Sequence, residues 1–490
     1  MVRLNRGSNR PRVTVTEVTH EGAPAAPINQ EQALRRSVMS CFLWNDEFYE
    51  DGEEIAERIL RLAKSLPVKT VADLAVEVRT AGKLRHVPLL LLTAVAAQGR
   101  GTDIVRKTIP KVILRADELT EFLSIYAKVN GIGPDKVKKK LSAGVKEGLA
   151  TAFQKFNEYS LAKYNQKSAN LPIKLRDVMR MCHPRPQNAE QDAMWKRLLA
   201  DKLETPDTWE VALSSGADKK ETFDRLLREE KLGYLAVLRN LRNMTQAGCE
   251  FELVKNAILA RKGAEWVLPF RYVSAARAVP QLEPTIDTAL MATIRELEGL
   301  PGKTIILVDV SGSMDVPLSQ GKDDKKYFNK KSDQPELTRA DAAATLASIW
   351  PGDVRVFSFS MDVVEIPPRR GMAGIDAILQ SQPHRGTQLG MAVKAMQGLP
   401  HDRLIVITDE QSHDPVGKAS VDKAYMINVA SAKNGVGYGT QMVNVGSEYN
   451  PNYQIRGSNW VHIDGFSENV LRFIAEFERG LGSSVGRARD

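Results

Sequence analysis

Three oxygen-bearing side chains at alternate positions, Asp309, Ser311 and Ser313, follow a short β-branched run that predicts a buried strand over residues 304–310. Carboxylate and hydroxyl oxygens are the hard ligands that Mg²⁺ and Mn²⁺ prefer. In an open parallel sheet, ligands bind where the loops meet at the carboxyl ends of the strands. The motif therefore predicts a divalent metal site, with capping of the following helix by Asp309 and Ser311 as the alternative.

Two later loops supply further oxygen atoms to the same predicted edge. Thr387 follows Gly386 in a polar turn before a predicted helix, and Asp409 comes directly after the apolar run 404–408. Chance rarely brings hard ligands from three distant loops to one edge, whereas the alternating motif alone is weak. We expect Mg²⁺ as the cofactor, with Mn²⁺ as the alternative.

Strands and helices alternate throughout the region that must position these ligands. Strands are predicted over residues 304–310, 354–359, 403–408 and 425–429, with helices over 339–349, 390–397 and 469–479, the last capped by Ser467. This order predicts a doubly wound α/β domain over residues 301–482, followed by a flexible tail at 483–490. The Lys/Asp/Asn-rich insertion from Lys322 to Pro335 is predicted to be a mobile loop.

The domain and its three-loop site resemble the von Willebrand factor A fold with its metal-ion-dependent adhesion site. The resemblance implies that Ser311, Ser313 and Thr387 contact the metal and that Asp309 and Asp409 act directly or through water. It also implies a site that binds a ligand and does not catalyse a reaction.

Upstream, residues 30–297 are predicted to form helix after helix, preceded by a flexible arm at 1–29. Apolar residues recur at helical spacing, as in the stripe Leu119, Phe122, Leu123 and Tyr126. Serial amphipathic helices joined by short turns indicate a helical-repeat array of the solenoid kind. No clean repeat period is visible, so an ordinary helical bundle is the alternative.

Length and composition limit the class of protein. A chain of 490 residues favours two or three domains, and 43% hydrophobic with 26% charged residues is typical of a folded protein. No apolar run approaches the roughly 20 residues that cross a bilayer, and the N-terminus lacks the apolar core of a secretory signal. The three cysteines are too scattered for a disulfide framework or a zinc site. We therefore expect a cytoplasmic protein without a membrane partner.

The excess of positive over negative charge lies upstream of residue 301, in the region that contains the predicted helices. The chain has 68 Lys and Arg against 60 Asp and Glu, a net charge of +8, but residues 301–490 hold 21 against 22. A surplus restricted to one region suggests an anionic partner there, nucleic acid first, although a solvated helical surface can carry the same imbalance.

Four strings in the helical region resemble the TROVE module of the Ro autoantigen family, a ring of helical repeats that binds noncoding RNA. They are residues 162–167, 175–186, 236–245 and 269–271. The order of parts also resembles that family, in which the ring is followed directly by an A-type domain. The implied fold class is α plus α/β: a HEAT-like helical ring and then the von Willebrand factor A domain.

The resemblance implies a surface for a stem-containing Y RNA at Lys163, Lys167 and His183. Arg180 lies one helical turn before His183, and Lys174 and Arg176 lie nearby. Lysine and arginine neutralise phosphates, which gives affinity without reading the base sequence. The alternative for each lysine is a solvated helix face, and His183 before Pro184 is alternatively a helix end.

A second basic run contains Lys136, Lys139 and Lys140, with Lys138 between them and Lys146 after them. It either lines the cavity where the family accepts single-stranded RNA ends or forms an exposed helix face. By contrast, the string that holds Arg239, Asn240, Arg242 and Asn243 is expected to pack the ring.

Three functions compete at this stage. The leading hypothesis is an RNA-binding scaffold for small Y-like noncoding RNA and misfolded RNA ends, acting in RNA stability or quality control, with an exoribonuclease as a possible partner and no DNA. The alternative is a protein-binding adaptor that uses the metal of the A-type domain. A metal-dependent nuclease or phosphotransferase is third, because no catalytic triad, phosphate-binding Gly-Lys-Ser/Thr loop or general base is visible.

Overall fold

A computed structural model describes residues 26, 28–40, 52–133, 136–165, 173–317, 337–409, 412–429, 441–444, 453–456, 459–465, 467 and 469–485. These residues divide into two compact units, a helical unit up to Thr293 and an α/β unit that begins at Ile294 and also includes the described residues before Gln30. The predicted succession of helices followed by a doubly wound α/β domain is confirmed. Lys167, the insertion from Lys322 to Pro335 and most of the predicted arm and tail lie outside the described residues.

The helical unit is a series of short helices connected by turns. In chain order these are α1 Gln30–Ser40, α2 Gly52–Lys64, α3 Val68–Thr80, α4 His86–Gln98, α5 Asp103–Val112, α6 Asp117–Val129, α7 Val137–Lys140, α8 Ala143–Phe153, α9 Glu158–Tyr164, α10 Leu175–Cys182, α11 Ala189–Leu199, α12 Trp209–Ser214, α13 Lys219–Arg228, α14 Tyr234–Gln246, α15 Phe251–Ala260, α16 Phe270–Ala278 and α17 Glu283–Arg295.

Amphipathic stripes and side-chain caps explain where these helices form. The stripe Leu119, Phe122, Leu123 and Tyr126 is buried on α6, as its spacing predicts. Polar residues begin several helices by accepting a hydrogen bond from a backbone N–H of the first turn; they are Ser142, Asn157, Asn188, Thr208 and Asp218. The apolar run 87–96 lies within α4, and every residue of the run is buried. None of the described helices is long and apolar enough to cross a membrane.

The α/β unit contains a six-stranded sheet. Its strands are β1 Lys303–Asp309, β2 Asp353–Phe359, β3 Val363–Glu365, β4 Arg403–Thr408, β5 Lys423–Asn428 and β8 Trp460–Asp464, while β6 Gln441–Asn444 and β7 Tyr453–Arg456 form a separate antiparallel pair. The spatial order is β3-β2-β1-β4-β5-β8, and the strands are parallel except β3. The direction of strand succession therefore reverses between β1 and β4, which is where open α/β sheets bind ligands.

Helices cover both faces of this sheet. They are α18 Arg339–Ser348, α19 Gly371–Leu379, α20 Leu389–Met396 and α21 Asn469–Val485. Leu389 and Val393 of α20 pack on the face that carries Ile305 and Leu307. On the opposite face, the ring of Phe477 meets Tyr425 edge-on, with centroids 6.2 Å apart. Burial on both faces explains why the middle of β1, residues 305–308, and the middle of β4, residues 404–407, are wholly apolar.

Two details differ from the sequence predictions. The backbone N–H of Ala26, in the predicted flexible arm, donates to the carbonyl of Trp460 at 3.0 Å. β8 is an edge strand of the sheet, so its outer backbone groups are open to such a bond. The last helix continues to Val485, beyond the predicted start of the tail at residue 483, because no proline interrupts the chain there.

Candidate nucleic-acid interface and metal site

A basic cavity of about 890 Å³ lies on the helical unit, between α5, α8 and the turn that follows α10. Its charged and polar lining comes mainly from Arg106, Lys107, Lys111, Lys146, Glu147, His183 and Arg185. Five of these side chains are arginine or lysine and one is glutamate. A concave surface with this excess of positive charge concentrates anions, and phosphate groups are the anions that arginine and lysine bind most readily.

Close packing of two helices builds the floor of this cavity. Gly144 and Gly148 of α8 lie one turn apart and face Val105 and Ile109 of α5. A Cβ at Gly148 would stand only 2.9 Å from the Ile109 Cβ, so α8 approaches α5 more closely than a larger residue allows. The basic side chains of both helices therefore meet at one rim.

Some of the cations in the cavity are already paired. Arg106 contacts Asp103 at 2.7 Å and Glu147 at 3.4 Å, and Lys107 contacts Asp103 at 3.1 Å. Within the described part of the chain, no ion pair involves Lys111, Lys146 or Arg185. These three side chains therefore offer a bound anion their full charge.

His183 ends α10 and also lines the cavity. Its φ of 48° and ψ of 59° lie in the left-handed region, and its backbone N–H donates to the Met179 carbonyl at 2.9 Å. A residue with a side chain costs roughly 1–3 kcal/mol in this conformation, and Pro184 prevents the helix from continuing. His183 is therefore the helix end that the sequence allowed, and its exposed side chain also lines the cavity.

Gln154 holds the turn after α10 against the end of α8. Its side-chain amide donates to the Arg185 carbonyl at 2.8 Å, and its own carbonyl accepts from the side chain of Gln191 at 2.9 Å. Beneath the turn, burial raises the pKa of the Cys182 thiol to about 12, so this thiol stays protonated. The turn is therefore a fixed wall of the cavity.

Among the described residues, the other predicted RNA-binding side chains lie outside the lining of this cavity. Lys163, at the end of α9, is half-buried, with its Nζ 5.8 Å from the ring centroid of Tyr164. Lys174 precedes α10, and Arg176 and Arg180 lie on it, the last of them exposed. Lys139 and Lys140 lie on the exposed face of α7, and the exposed Lys136 directly precedes this helix. Of the second basic run, only Lys146 lines the cavity.

Arg106, Lys107, Lys111 and Arg185 are cavity residues that the sequence did not single out. The amphipathic pattern of α5 could have indicated three of them, because Arg106, Lys107 and Lys111 all lie on its polar face. The string from Arg239 to Asn243, which was expected to pack the ring, contains both buried and exposed side chains. Asn240 is buried and accepts a hydrogen bond from the Asn243 amide at 3.0 Å, whereas Arg239 is exposed.

The predicted metal ligands lie at the switch point between β1 and β4. Asp309 ends β1 and Asp409 follows β4, and both side chains are fully buried. Asp309 accepts hydrogen bonds from the Ser311 N–H at 2.8 Å and from the Thr408 hydroxyl at 2.6 Å. Burial, with the nearby charge of Asp409, raises the pKa of Asp309 to about 7.

The three hydroxyl-bearing residues complete this edge. The hydroxyls of Ser311 and Ser313 are 3.2 Å apart, and the Gly312 N–H donates to the Arg385 carbonyl at 2.9 Å, which joins their loop to the one that carries Thr387. Thr387 is buried, and its carbonyl accepts from the backbone N–H of His413 at 2.9 Å.

The chemistry of this donor set suits a hard divalent cation, since it offers two carboxylates and three hydroxyls. A cation would also relieve the repulsion between Asp309 and Asp409. Among the described residues, no group of three or more His, Cys, Asp and Glu side chains is placed to hold a metal ion, so hydroxyl ligands are essential to the prediction. Arg339, which the sequence did not suggest, brings its Nη1 to 3.4 Å from Asp409 Oδ2.

Comparisons with known proteins identify the architecture. The TROVE domain family matches residues 193–343, which contain two of the four strings noted in the sequence, 236–245 and 269–271. The crystal structure of the Deinococcus radiodurans RO (RSR) protein superposes with a TM-score of 0.57 over 92% of this chain and 100% of that chain, at 17% identity. Residues 193–343 therefore match the TROVE domain, and the chain shares the fold of the Ro protein.

Mouse telomerase protein component 1 is similar to a shorter segment of this chain. The two are 33% identical over 87 residues, which is 17% of this chain and 3% of the mouse protein. The chain therefore spans only a small part of that relative's length. The segments 162–167 and 175–186, from which the Y RNA surface was inferred, precede the residues that match the TROVE family.

Proposed function

We propose that this Ro-like protein is an RNA-binding scaffold. The observation that carries the proposal is the basic cavity, in which five arginine and lysine side chains surround one glutamate. An RNA backbone bears one negative charge per phosphate, and each cation that neutralises a phosphate releases condensed counterions. The TROVE match and the Ro-like fold support RNA as the anion.

Small structured noncoding RNA of the Y type is the proposed ligand class. Arg106, Lys107 and Lys111 lie along one exposed helix face, so they can follow successive phosphates of a stem. Arg185 adds a planar guanidinium, which can bind one phosphate through two hydrogen bonds. Single-stranded ends of misfolded RNA are a second proposed ligand, and RNA stability or quality control in the cytoplasm, with an exoribonuclease as partner, is the proposed setting.

The proposed role is that of a scaffold and not of an enzyme. The two carboxylates at the sheet edge are engaged within the protein, because Asp309 accepts bonds from Thr408 and Ser311 and Asp409 lies against Arg339. Both are fully buried, so neither is placed as an exposed general base for an attacking water.

We also propose that the loops at the carboxyl ends of β1 and β4, together with the loop that carries Thr387, bind Mg²⁺. Ser311, Ser313 and Thr387 would supply hydroxyl oxygens, and Asp309 and Asp409 would supply negative charge. A bound Mg²⁺ would offer a remaining coordination position to a carboxylate of a partner or to water. The chain's own part is to hold the three loops together. The bond between Gly312 and Arg385 joins the first two, and the bond from the Thr408 hydroxyl to Asp309 ties the end of β4 to the first.

Copurified nucleic acid tests the RNA proposal directly. The full chain, purified at low salt, should carry material absorbing at 260 nm that runs as small RNA on a gel and disappears after ribonuclease treatment. Protein that is free of RNA at low salt, and that also fails to bind a transcribed stem-loop RNA, would instead favour the protein-binding adaptor.

A further inference from the structure

Arg339 occupies an unusual place for a cation. It is the first residue of α18, it is only 7% exposed, and its guanidinium lies against Asp409. The first turn of a helix disfavours positive charge because backbone N–H groups point there, and burial of a guanidinium adds a further cost. Such a placement persists where the surrounding structure supplies negative charge.

The backbone holds Arg339 firmly in this position. Thr338 caps α18 by accepting from the Asp341 N–H at 3.0 Å, and the Asp341 carboxylate accepts in return from the Thr338 N–H at 3.0 Å. The N–H of Arg339 donates to the Val316 carbonyl at 3.1 Å, which ties α18 to the segment that follows Ser313. The side chain of Arg339 therefore starts from a fixed point beside the metal-ligand loop.

The negative charge comes from the two buried carboxylates. Asp309 ends β1 and Asp409 follows the adjacent parallel strand β4, and both are shielded from solvent, so their negative charges repel each other at short range. A divalent ion can neutralise this pair, and so, in part, can the guanidinium of Arg339. Both cations would act on Asp409.

We propose that Arg339 is a tethered cation that neutralises Asp409 when no divalent ion is bound and that competes with the ion for this carboxylate. The inference rests on the proposed Mg²⁺ site. Arg339 keeps the three loops assembled without metal, and it lowers the affinity of the site for Mg²⁺. The occupancy of the site therefore depends on the Mg²⁺ concentration, and the fold of the α/β unit does not.

Thermal unfolding of the full chain in EDTA tests the first half of the proposal. Arg339→Met keeps most of the side-chain volume and removes the charge, so the midpoint should fall. In an Asp409→Asn background most of this loss should disappear, because the carboxylate that Arg339 contacts is no longer charged. An equal loss in both backgrounds would show that Arg339 contributes packing only.

Calorimetric titration with MgCl₂ tests the competition. Arg339→Met should bind Mg²⁺ about ten-fold more tightly than the unmodified chain, a change of about 1.4 kcal/mol. Arg339→Lys retains the charge and should stay closer to the unmodified chain. Unchanged or weaker binding by folded Arg339→Met contradicts the competition. If no variant binds Mg²⁺, the metal site itself is wrong, whereas the RNA-binding proposal, which concerns the helical unit, is unaffected.

Discussion

Gly148 of α8 packs so closely on Ile109 of α5 that a Cβ on the glycine would stand 2.9 Å from both the Cβ and the Cδ1 of Ile109. The same virtual Cβ would lie 3.3 Å from the Cα of Arg106, one of the cations of the cavity. The distance between α5 and α8 is therefore set by a residue without a side chain.

Gly148→Ala should destabilise the helical unit. The added methyl group must displace the Ile109 Cβ, which belongs to a packed helix, and overpacking of this kind costs about 1–3 kcal/mol. Gly144→Ala is the matched control on the same helix, since its Cβ would meet the Val105 Cβ at an ordinary 3.4 Å. The control should be neutral or stabilising by up to about 1 kcal/mol, because alanine favours helices.

Urea unfolding monitored by circular dichroism measures both variants. If Gly148→Ala is as stable as Gly144→Ala, then α5 can move away from α8 at little cost. The close contact would then not define the shape of the cavity.

A buried ion pair fixes the last helix to the sheet. Arg403 of β4 is fully buried and forms two hydrogen bonds of 2.5 Å with Glu478 of α21, which also contacts Lys423 at 2.8 Å. Glu478→Gln keeps the shape of the side chain but leaves Arg403 buried without its counter-charge. This change should cost about 3–5 kcal/mol of stability in urea unfolding.

The exposed pair Arg355 and Glu365 provides the control for this prediction. Its side chains are 40% and 51% exposed, so Glu365→Gln should cost no more than about 1 kcal/mol. Similar losses for the two glutamine variants would mean that burial of Arg403 adds nothing to the strength of its pair.

His86 should make the stability of the helical unit depend on pH. Burial, together with the neighbouring Arg85, lowers the pKa of His86 to about 4, against 6.5 for an exposed histidine. Between pH 4 and 6.5 the unfolded chain therefore binds more protons at this position than the folded chain does. Stability should fall as the pH is lowered from 6.5 towards 4.

His86→Gln removes this contribution, so its stability should decline less steeply than that of the unmodified chain over the same interval. Chemical unfolding at several pH values gives the two curves. Parallel curves between pH 4 and 6.5 would show that His86 titrates alike in the folded and unfolded states.

The two candidate sites differ in how far the sequence could predict them. The ligands of the sheet edge follow from topology, because Asp309 and Asp409 each come directly after an apolar strand and parallel strands end at one edge. The burial of Arg339 could not be predicted from the sequence, because a residue that begins a helix normally points to solvent. Only the packing of α18 buries this side chain.

The basic cavity could not be predicted from local patterns in the same way. Lys111, Lys146 and Arg185 are far apart in sequence, and each resembles a solvated lysine or arginine of a helix face or turn. Their proximity depends on how α8 packs on α5 and on the position of the turn after α10 relative to these two helices. Of the residues inferred from the family resemblance, His183 lies in this cavity and Lys163 lies elsewhere.

Mg²⁺ should stabilise the protein through the three-loop site. Thermal unfolding with and without MgCl₂ should show a rise in midpoint that is lost in Thr387→Ala and in Asp309→Ala, because a ligand stabilises only the fold that binds it. RNA affinity should change little in both variants, since the basic cavity belongs to the helical unit. Mg²⁺ binding that survives in both variants places the metal elsewhere.

RNA affinity of a charge-reversed cavity tests the central claim most directly. Full-length Lys111→Glu/Lys146→Glu is compared with Lys202→Glu/Lys219→Glu, which makes the same charge change at two exposed lysines of the helical unit that do not line the cavity. The probe is a fluorescently labelled stem-loop RNA, and anisotropy is measured from 50 to 200 mM salt. Circular dichroism must show the same helical signal in both variants.

We expect the cavity variant to lose at least about ten-fold in affinity, and the slope of log affinity against log salt to flatten by roughly 0.7–0.9 for each lost phosphate contact. The control variant should lose much less and keep its slope. Equal affinity and equal slope in the two folded variants would contradict the assignment of RNA binding to this cavity.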